Sequence, residues 1–322
     1  MPRMLLFLLC LSATGSRLAG QSILHYHAVL LRAEPLSGGP AQLAIRSFTR
    51  DTTAMLLLVH PDSLNLYAAP ARDFCLNPAN WNGLRAQWGA KPYFKALTAA
   101  RQLDAPLQDA GIVHLPGQEP GIDLTADLCP ARLPLDRRVF DALIQMTPPA
   151  ERPAPITLSI SGRWLQTHHD DLEWLKMLVQ KGDLAITWAN HSLNHFWNKN
   201  LPLDENFLLE KGTDLETEVL GNEELMLENG ILPSLFFRFP GLVSDRAIVD
   251  RLLDWGLIPI GSDAWLAKGQ HPKSSGSIVL IHANGNEPLG VAEFIRLLQS
   301  EKTALYQGKW RLLDLREELQ KE

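Results

Sequence analysis

Past residue 120 the chain alternates short apolar runs with amphipathic stretches that carry their own start and stop signals. Gly121–Leu128, Ile156–Ile160, Leu184–Trp188, Leu235–Phe239, Leu257–Ile260 and Ser277–Ile281 are brief and largely apolar, which predicts buried strands. Helical patterns lie between them. Asp136 can cap a helix running through Gln145, with Phe140 and Ile144 on one face. Asp170 with Glu173 three residues on has the form of a capping box, and Leu172, Leu175 and Val179 make a stripe that ends at Gly182. Thr213 with Glu216 predicts a helix that stops at Gly230. Ser244 predicts one that ends before Gly256, and Val291–Leu298 a last one. The acidic run Asp204–Glu228 reads as a solvated helix face. Strand-then-helix units in succession predict an α/β fold, a distorted (β/α) barrel of about seven parallel strands.

Residues 21–118 follow another rhythm. Ser22–Leu31 and Ala41–Phe48 are strand-like and Met55–Val59 is a buried run, punctuated by Pro35, Gly38, Gly39 and Pro40. Asn77–Pro92, with Trp81 and Trp88 among Asn, Gly and Pro, reads as loop, and Lys91–Leu103 as helix. The expected organisation is a small β-rich unit over 21–118, a barrel over 119–300 and a helical tail over 301–322.

Met1–Gly20 has the pattern of a secretory signal: Arg3, the apolar Met4–Leu11, then small residues up to Ala19-Gly20. The expectation is an exported protein, periplasmic or extracellular, with no membrane span after the signal is removed. Losing Arg3 and Arg17 takes the net charge from −6 to −8, which leaves no basic footprint for nucleic acid. Cys10 leaves with the signal. Cys75 and Cys129 remain, either as a disulfide or as two free thiols.

In a parallel barrel, chemistry collects where strands end. Five predicted ends carry candidates: Thr125-Ala126-Asp127-Leu128-Cys129-Pro130, Asn190 through His195, Arg238-Phe239-Pro240-Gly241, Asp263-Ala264-Trp265, and Leu280-Ile281-His282. His191 and His195 stand four apart; on a helical turn they would share a face and could hold one divalent metal ion. Each member alone is bland. His168-His169-Asp170-Asp171, which also looks like a metal cluster, is better read as a helix cap.

The ordered set resembles the polysaccharide deacetylase family, carbohydrate esterase family 4, over roughly residues 120–300. Thr125–Pro130 stands in register with its T-F-D-D-G-P motif. His191, Ser192 and His195 match H-[ST]-x-x-H. Arg238, Pro240 and Gly241 match part of R-x-P-[YF]-G. Asp263 and Trp265 are similar to the acidic–tryptophan motif, and Leu280 with His282 to L-x-H. The resemblance implies a metal-dependent hydrolase that removes N-acetyl or O-acetyl groups from an acetylated cell-envelope or extracellular polysaccharide. It implies a divalent ion, zinc first, with cobalt, manganese and nickel as alternatives.

By the same resemblance, His191 and His195 hold the metal and Asp127 is the base. Arg238 pairs with Asp127, and a backbone N–H at Gly241 stabilises the oxyanion. His282 protonates the leaving amine, Asp263 orients His282 or Arg238, and Trp265 walls the acetyl methyl. One departure matters: Leu128 stands where the family has a second aspartate as metal ligand. Three outcomes are open. Asp127 could itself ligate; Asp123, Cys129 or His169 could complete the site; or the barrel could bind sugar without hydrolysing it.

Overall fold

A computed structural model describes residues 22–321; the secretory signal expected at Met1–Gly20 lies outside the described residues. The first five strands pair antiparallel in the order β4-β3-β2-β1-β5: β1 Ile23–Pro35, β2 Gln42–Arg50, β3 Thr53–His60, β4 Asn65–Pro70 and β5 Phe74–Pro78. Helices α1, Trp81–Trp88, and α2, Pro92–Gln102, follow. The first stands where loop was expected. Asn80 is its cap rather than a breaker: Asn80 Oδ1 accepts the Gly83 N–H at 2.9 Å. Trp81 and Trp88 then pack edge-on against Phe94.

The rest of the chain is the predicted α/β unit. Its strands are β6 Gly121–Leu128, β7 Ala154–Ile160, β8 Leu184–Asn190, β9 Phe236–Arg238, β10 Ile258–Ile260, β11 Ala264–Trp265, β12 Ser277–His282 and β13 Arg311–Leu313. Seven of them pair in the order β10-β9-β8-β7-β6-β12-β11, all parallel, and curl into a half-barrel. Its helices are α3 Arg138–Met146, α4 Gly162–Thr167, α5 His169–Gln180, α6 Leu215–Glu228, α7 Arg246–Asp254, α8 Pro288–Tyr306 and α9 Leu315–Gln320. The tail expected to be helical contains β13, which pairs parallel with the first half of β6. Among the described residues no helix is long and apolar enough to cross a membrane.

Strand alternation on β6 decides the site. Successive side chains point to opposite faces. Ile122, Leu124, Ala126 and Leu128 join the outer core with Phe140 of α3, Leu175 of α5 and Phe294 of α8. Asp123, Thr125 and Asp127 take the other face, toward the barrel interior, and all three are buried.

The N-terminal sheet does not sit apart. One continuous apolar cluster runs from Ile45, Leu57 and Phe94 to Val219, Phe236 and Ile258 of the barrel. Arg46 of β2 reaches Glu223 of α6 through two hydrogen bonds, Nε to Oε2 at 2.6 Å and Nη2 to Oε1 at 3.0 Å. Both residues are buried, so the acidic run is not simply a solvated face.

Candidate active site

The metal-ligand question turns on the loop after β8. The structure brings His191 and His195 together, with ring centroids 4.8 Å apart, but not on a helix. Side chains here outcompete helix formation. Asn190 Oδ1 accepts the Ser192 N–H at 2.9 Å, and Ser192 Oγ accepts the His195 N–H at 3.1 Å. Ser192 and His195 take φ of 66° and 48°, left-handed values that L-residues adopt only when their surroundings impose them.

Those surroundings are α4 and α6. Asn222 donates to Asn190 Oδ1 at 2.7 Å, and Glu218 accepts both the backbone N–H and the side-chain amide of Asn194. Gly162 N–H donates to the Ser192 carbonyl at 3.0 Å. A Cβ on Gly162 would meet Leu193 Cδ1 at 2.5 Å and its carbonyl oxygen at 2.9 Å, so α4 can approach the loop only as glycine.

His191 is fully buried and oriented. Its Nδ1–H donates to the Arg238 carbonyl at 2.8 Å, which leaves Nε2 aimed into the site. There Nε2 lies 3.4 Å from Cys129 Sγ and 3.7 Å from Asp127 Oδ2. Cys129, His191 and His195 each offer a donor atom, all within 4.8 Å of one another. His195 Nε2 is buried with no hydrogen-bond partner, as is Asp127 Oδ1. A thiol and two imidazoles, one with an orphaned ring nitrogen, fit a divalent ion.

Alternation explains how Cys129 arrives. Residue 129 is two past 127, on the same inward side, whereas Leu128 points into the outer core. Of the other candidates, Asp123 lies deeper inside the barrel and His169 is exposed on α5; neither joins the cluster. Cys75 is exposed on β5, and both thiols are free.

The opposite wall is His282, beside Asp127 in the β12–β6 register. Glu287 accepts its Nδ1–H at 2.8 Å and is held in turn by Trp265 Nε1 at 3.1 and 3.2 Å. The Trp265 ring packs against His282 with centroids 5.3 Å apart. Burial lowers the His282 pKa, but the nearby Cys129, hydrogen bonds to Cys129 and Glu287, and Asp127 together raise it well above its usual value. Burial likewise raises the Cys129 thiol, and the attraction of His195, His282 and His191 more than offsets it, leaving the thiol well below its ordinary range. For His191, burial lowers the pKa, and Asp127 with Cys129 outweigh that and raise it.

Two expected roles fall elsewhere. The Arg238 side chain forms no ion pair with Asp127 among the described residues. Its Nη2 donates to Thr125 Oγ1 at 2.9 Å, one inward-facing position below Asp127 on β6. What Arg238 gives the site is its carbonyl. Asp263 orients neither His282 nor Arg238; it accepts from His114 Nδ1 at 2.7 Å and from Ser277 Oγ at 3.1 Å. Glu287 does the orienting, and only its position before Pro288, five residues past His282, hinted at it.

Gly241 sits in a tight turn at φ 61°, and a Cβ there would lie 2.3 Å from the Phe207 ring. That ring lies edge-on to His195 with centroids 5.8 Å apart. Phe207 thus packs directly over Gly241 and leaves no room there for a side chain.

A cleft of about 600 Å³ opens beside Cys129 and His195, with Phe196 and Trp197 on its wall. Solved structures that the chain resembles include family 4 carbohydrate esterases. One from Bacillus anthracis is 18% identical and covers 72% of this chain and 93% of its own, with a TM-score of 0.48. One from Bacillus subtilis is 17% identical, covers 71% and 89%, and scores 0.46. A family 4 pseudoenzyme from Bacillus anthracis is 16% identical, covers 63% and 66%, and scores 0.42. No family model matches the chain.

Proposed function

We propose that this protein is an exported, metal-dependent hydrolase that removes acetyl groups from a carbohydrate, with zinc held by Cys129, His191 and His195. The observation that carries the reading is the convergence of these three donors within 4.8 Å, between Asp127 on one side and His282 on the other. Two imidazoles and a thiolate are a donor set suited to zinc. When bound, a divalent ion supplies Lewis acidity and brings the pKa of a coordinated water toward neutrality.

The chain's own groups do the rest. Asp127 Oδ1, buried and without a partner, is free to take the proton of the attacking water. His282, kept protonated with help from Glu287, donates to the departing amine or alcohol. The Arg238 carbonyl fixes the tautomer and ring direction of His191. The backbone N–H of Gly241 is the candidate donor to the developing oxyanion, and Trp265 closes the side next to His282.

Stoichiometric zinc in the purified protein, with acetate release from N-acetylated chitooligosaccharides, is the expected result. Protein that carries no metal and releases no acetate would overturn the reading. Leu128 favours a second one, a carbohydrate-binding protein that does not hydrolyse, because the position of the resembled ligand is given to the outer core. Sugar binding without metal or acetate release would select it.

A further inference from the structure

Three side chains from distant parts of the sequence form a relay at the other end of the barrel from the Cys129 cluster. Ser274 Oγ lies 3.2 Å from His114 Nε2, and His114 Nδ1–H donates to Asp263 Oδ2 at 2.7 Å. His114 precedes β6, Asp263 stands just before β11, and Ser274 is on the loop that enters β12. Ser277 is the first residue of β12 and His282 the last. Five steps of strand at about 3.3 Å each put roughly 16 Å between those ends, so the relay is separate from Cys129, His191 and His195.

The relay is braced. Asp263 has a side chain only 7% exposed, and its Oδ2 also accepts from Ser277 Oγ at 3.1 Å. The backbone of His114 bridges to Ser277, and the Leu115 N–H donates to the Gly276 carbonyl at 2.8 Å. A Cβ on Gly276, which has φ 90°, would lie 2.6 Å from the Leu115 carbonyl oxygen, so the two segments meet this closely only through glycine. Exposure then rises along the relay: the His114 side chain is 35% exposed and Ser274 faces solvent. A carboxylate held inside, an imidazole at the edge and a hydroxyl open to water is the order a nucleophilic serine requires. Because Nδ1–H is bonded to Asp263, Nε2 is the acceptor that can take the Ser274 proton. Among the described residues none accepts the Ser275 N–H, the donor next to the nucleophile.

We propose that Ser274, His114 and Asp263 form a second hydrolytic site, independent of metal, that cleaves carboxylic esters with small acyl groups. Ser274 Oγ bonds to the acyl carbon and its proton passes to His114 Nε2. The bond from that carbon to the alcohol oxygen breaks, and His114 hands its proton to the departing alcohol. Water then gives a proton to His114 and adds to the acyl carbon. The Ser274–acyl bond breaks, the carboxylic acid leaves and Ser274 Oγ recovers the proton. Asp263 touches no reacting atom; it positions His114 and offsets the charge the ring gains. Esters suit this site better than amides, because an alcohol leaves more readily than an amine and the Ser275 N–H is a single donor. The inference does not rest on the deacetylase reading.

Labelling of the full chain with a fluorophosphonate, mapped by mass spectrometry of its peptides, tests the nucleophile. Hydrolysis of p-nitrophenyl acetate in the presence of a zinc chelator tests turnover. One phosphonyl group per chain is expected, on Ser274, with or without the chelator. Ser274→Ala should lose both the label and the chelator-resistant turnover. His114→Gln should slow both by about a hundred-fold. Asp263→Asn keeps an acceptor for His114 without the charge, so a merely structural tie would leave labelling at the parent's rate; a fall of at least about ten-fold is expected. No label on Ser274, labelling at the parent's rate in His114→Gln or Asp263→Asn, or labelling without chelator-resistant turnover would each overturn the proposal. Ester hydrolysis that persists in chelator, whether or not the protein releases acetate from chitooligosaccharides, keeps this site apart from the metal-dependent one.

Discussion

Cys129→Ser is the sharpest perturbation of the centre. Serine keeps the size of the side chain, and the backbone carbonyl of residue 129 still accepts Asn284 Nδ2 at 3.2 Å, so the strand end stays tied. What is lost is one of three donor atoms that lie within 4.8 Å of one another. Structural zinc sites bind with about 10–16 kcal/mol from four ligands, so one thiolate is worth on the order of 3 kcal/mol, about a hundred-fold in affinity. Competition for zinc against a chromophoric chelator reads that loss directly. Cobalt substitution gives a second readout that needs no activity: the parent should show a thiolate-to-cobalt charge-transfer band, and Cys129→Ser should lack it. Unchanged zinc affinity in Cys129→Ser, or a parent cobalt form without the band, would refute the thiolate ligand. Asp127→Asn discriminates the rival donor. If Asp127 is the base, the variant keeps its metal within a few-fold and loses turnover by about 10²–10⁴; if it is the ligand, metal leaves.

Other outcomes follow from the same geometry. Glu287→Gln removes a carboxylate that raises the His282 pKa, so the proton is lost at lower pH and the alkaline limb of the pH–rate profile should move toward acid; an unmoved limb would separate Glu287 from the acid's function. Leu128→Asp should not rescue or strengthen metal binding, because the side chain enters the outer core; a destabilisation of about 3 kcal/mol or more in urea is expected, and tighter zinc binding would contradict the alternation argument. Glu223→Ala leaves Arg46 buried without its carboxylate and should cost about 3–5 kcal/mol in denaturant unfolding, and a loss under 1 kcal/mol would show that water or another group reaches the guanidinium.

Much of this fold was legible because periodicity is written locally. The runs at Gly121, Ile156, Leu184 and Ser277 became central strands, and the stripe Leu172–Leu175 became a buried helix face. The strand β13 was not legible: three residues, Arg311–Leu313, form it on the edge of β6 that β7, pairing only from Thr125 onward, leaves open. At the site, His191, His195, Asp127 and His282 could be picked out by residue type and order. The roles of Arg238, Asp263 and Glu287 could not. Side-chain reach across strands decides them, and no spacing along the chain encodes that. The histidine pair meets without a helical turn for a related reason, since Asn190 and Ser192 bond to the backbone just ahead of them and turn the chain. Cys129 was readable as a contender from its two-residue offset; only the burial of Leu128 on the opposite face singles it out.

The continuous apolar cluster that joins the N-terminal sheet to the barrel bears on how the chain can be divided. A fragment cut at residue 119 would expose Val219, Phe236 and Ile258 and strand Glu223 without Arg46. The five-stranded sheet is therefore no detachable module to be trimmed or grafted. Transplanting the barrel onto another protein would require carrying the sheet along or rebuilding the apolar face it covers.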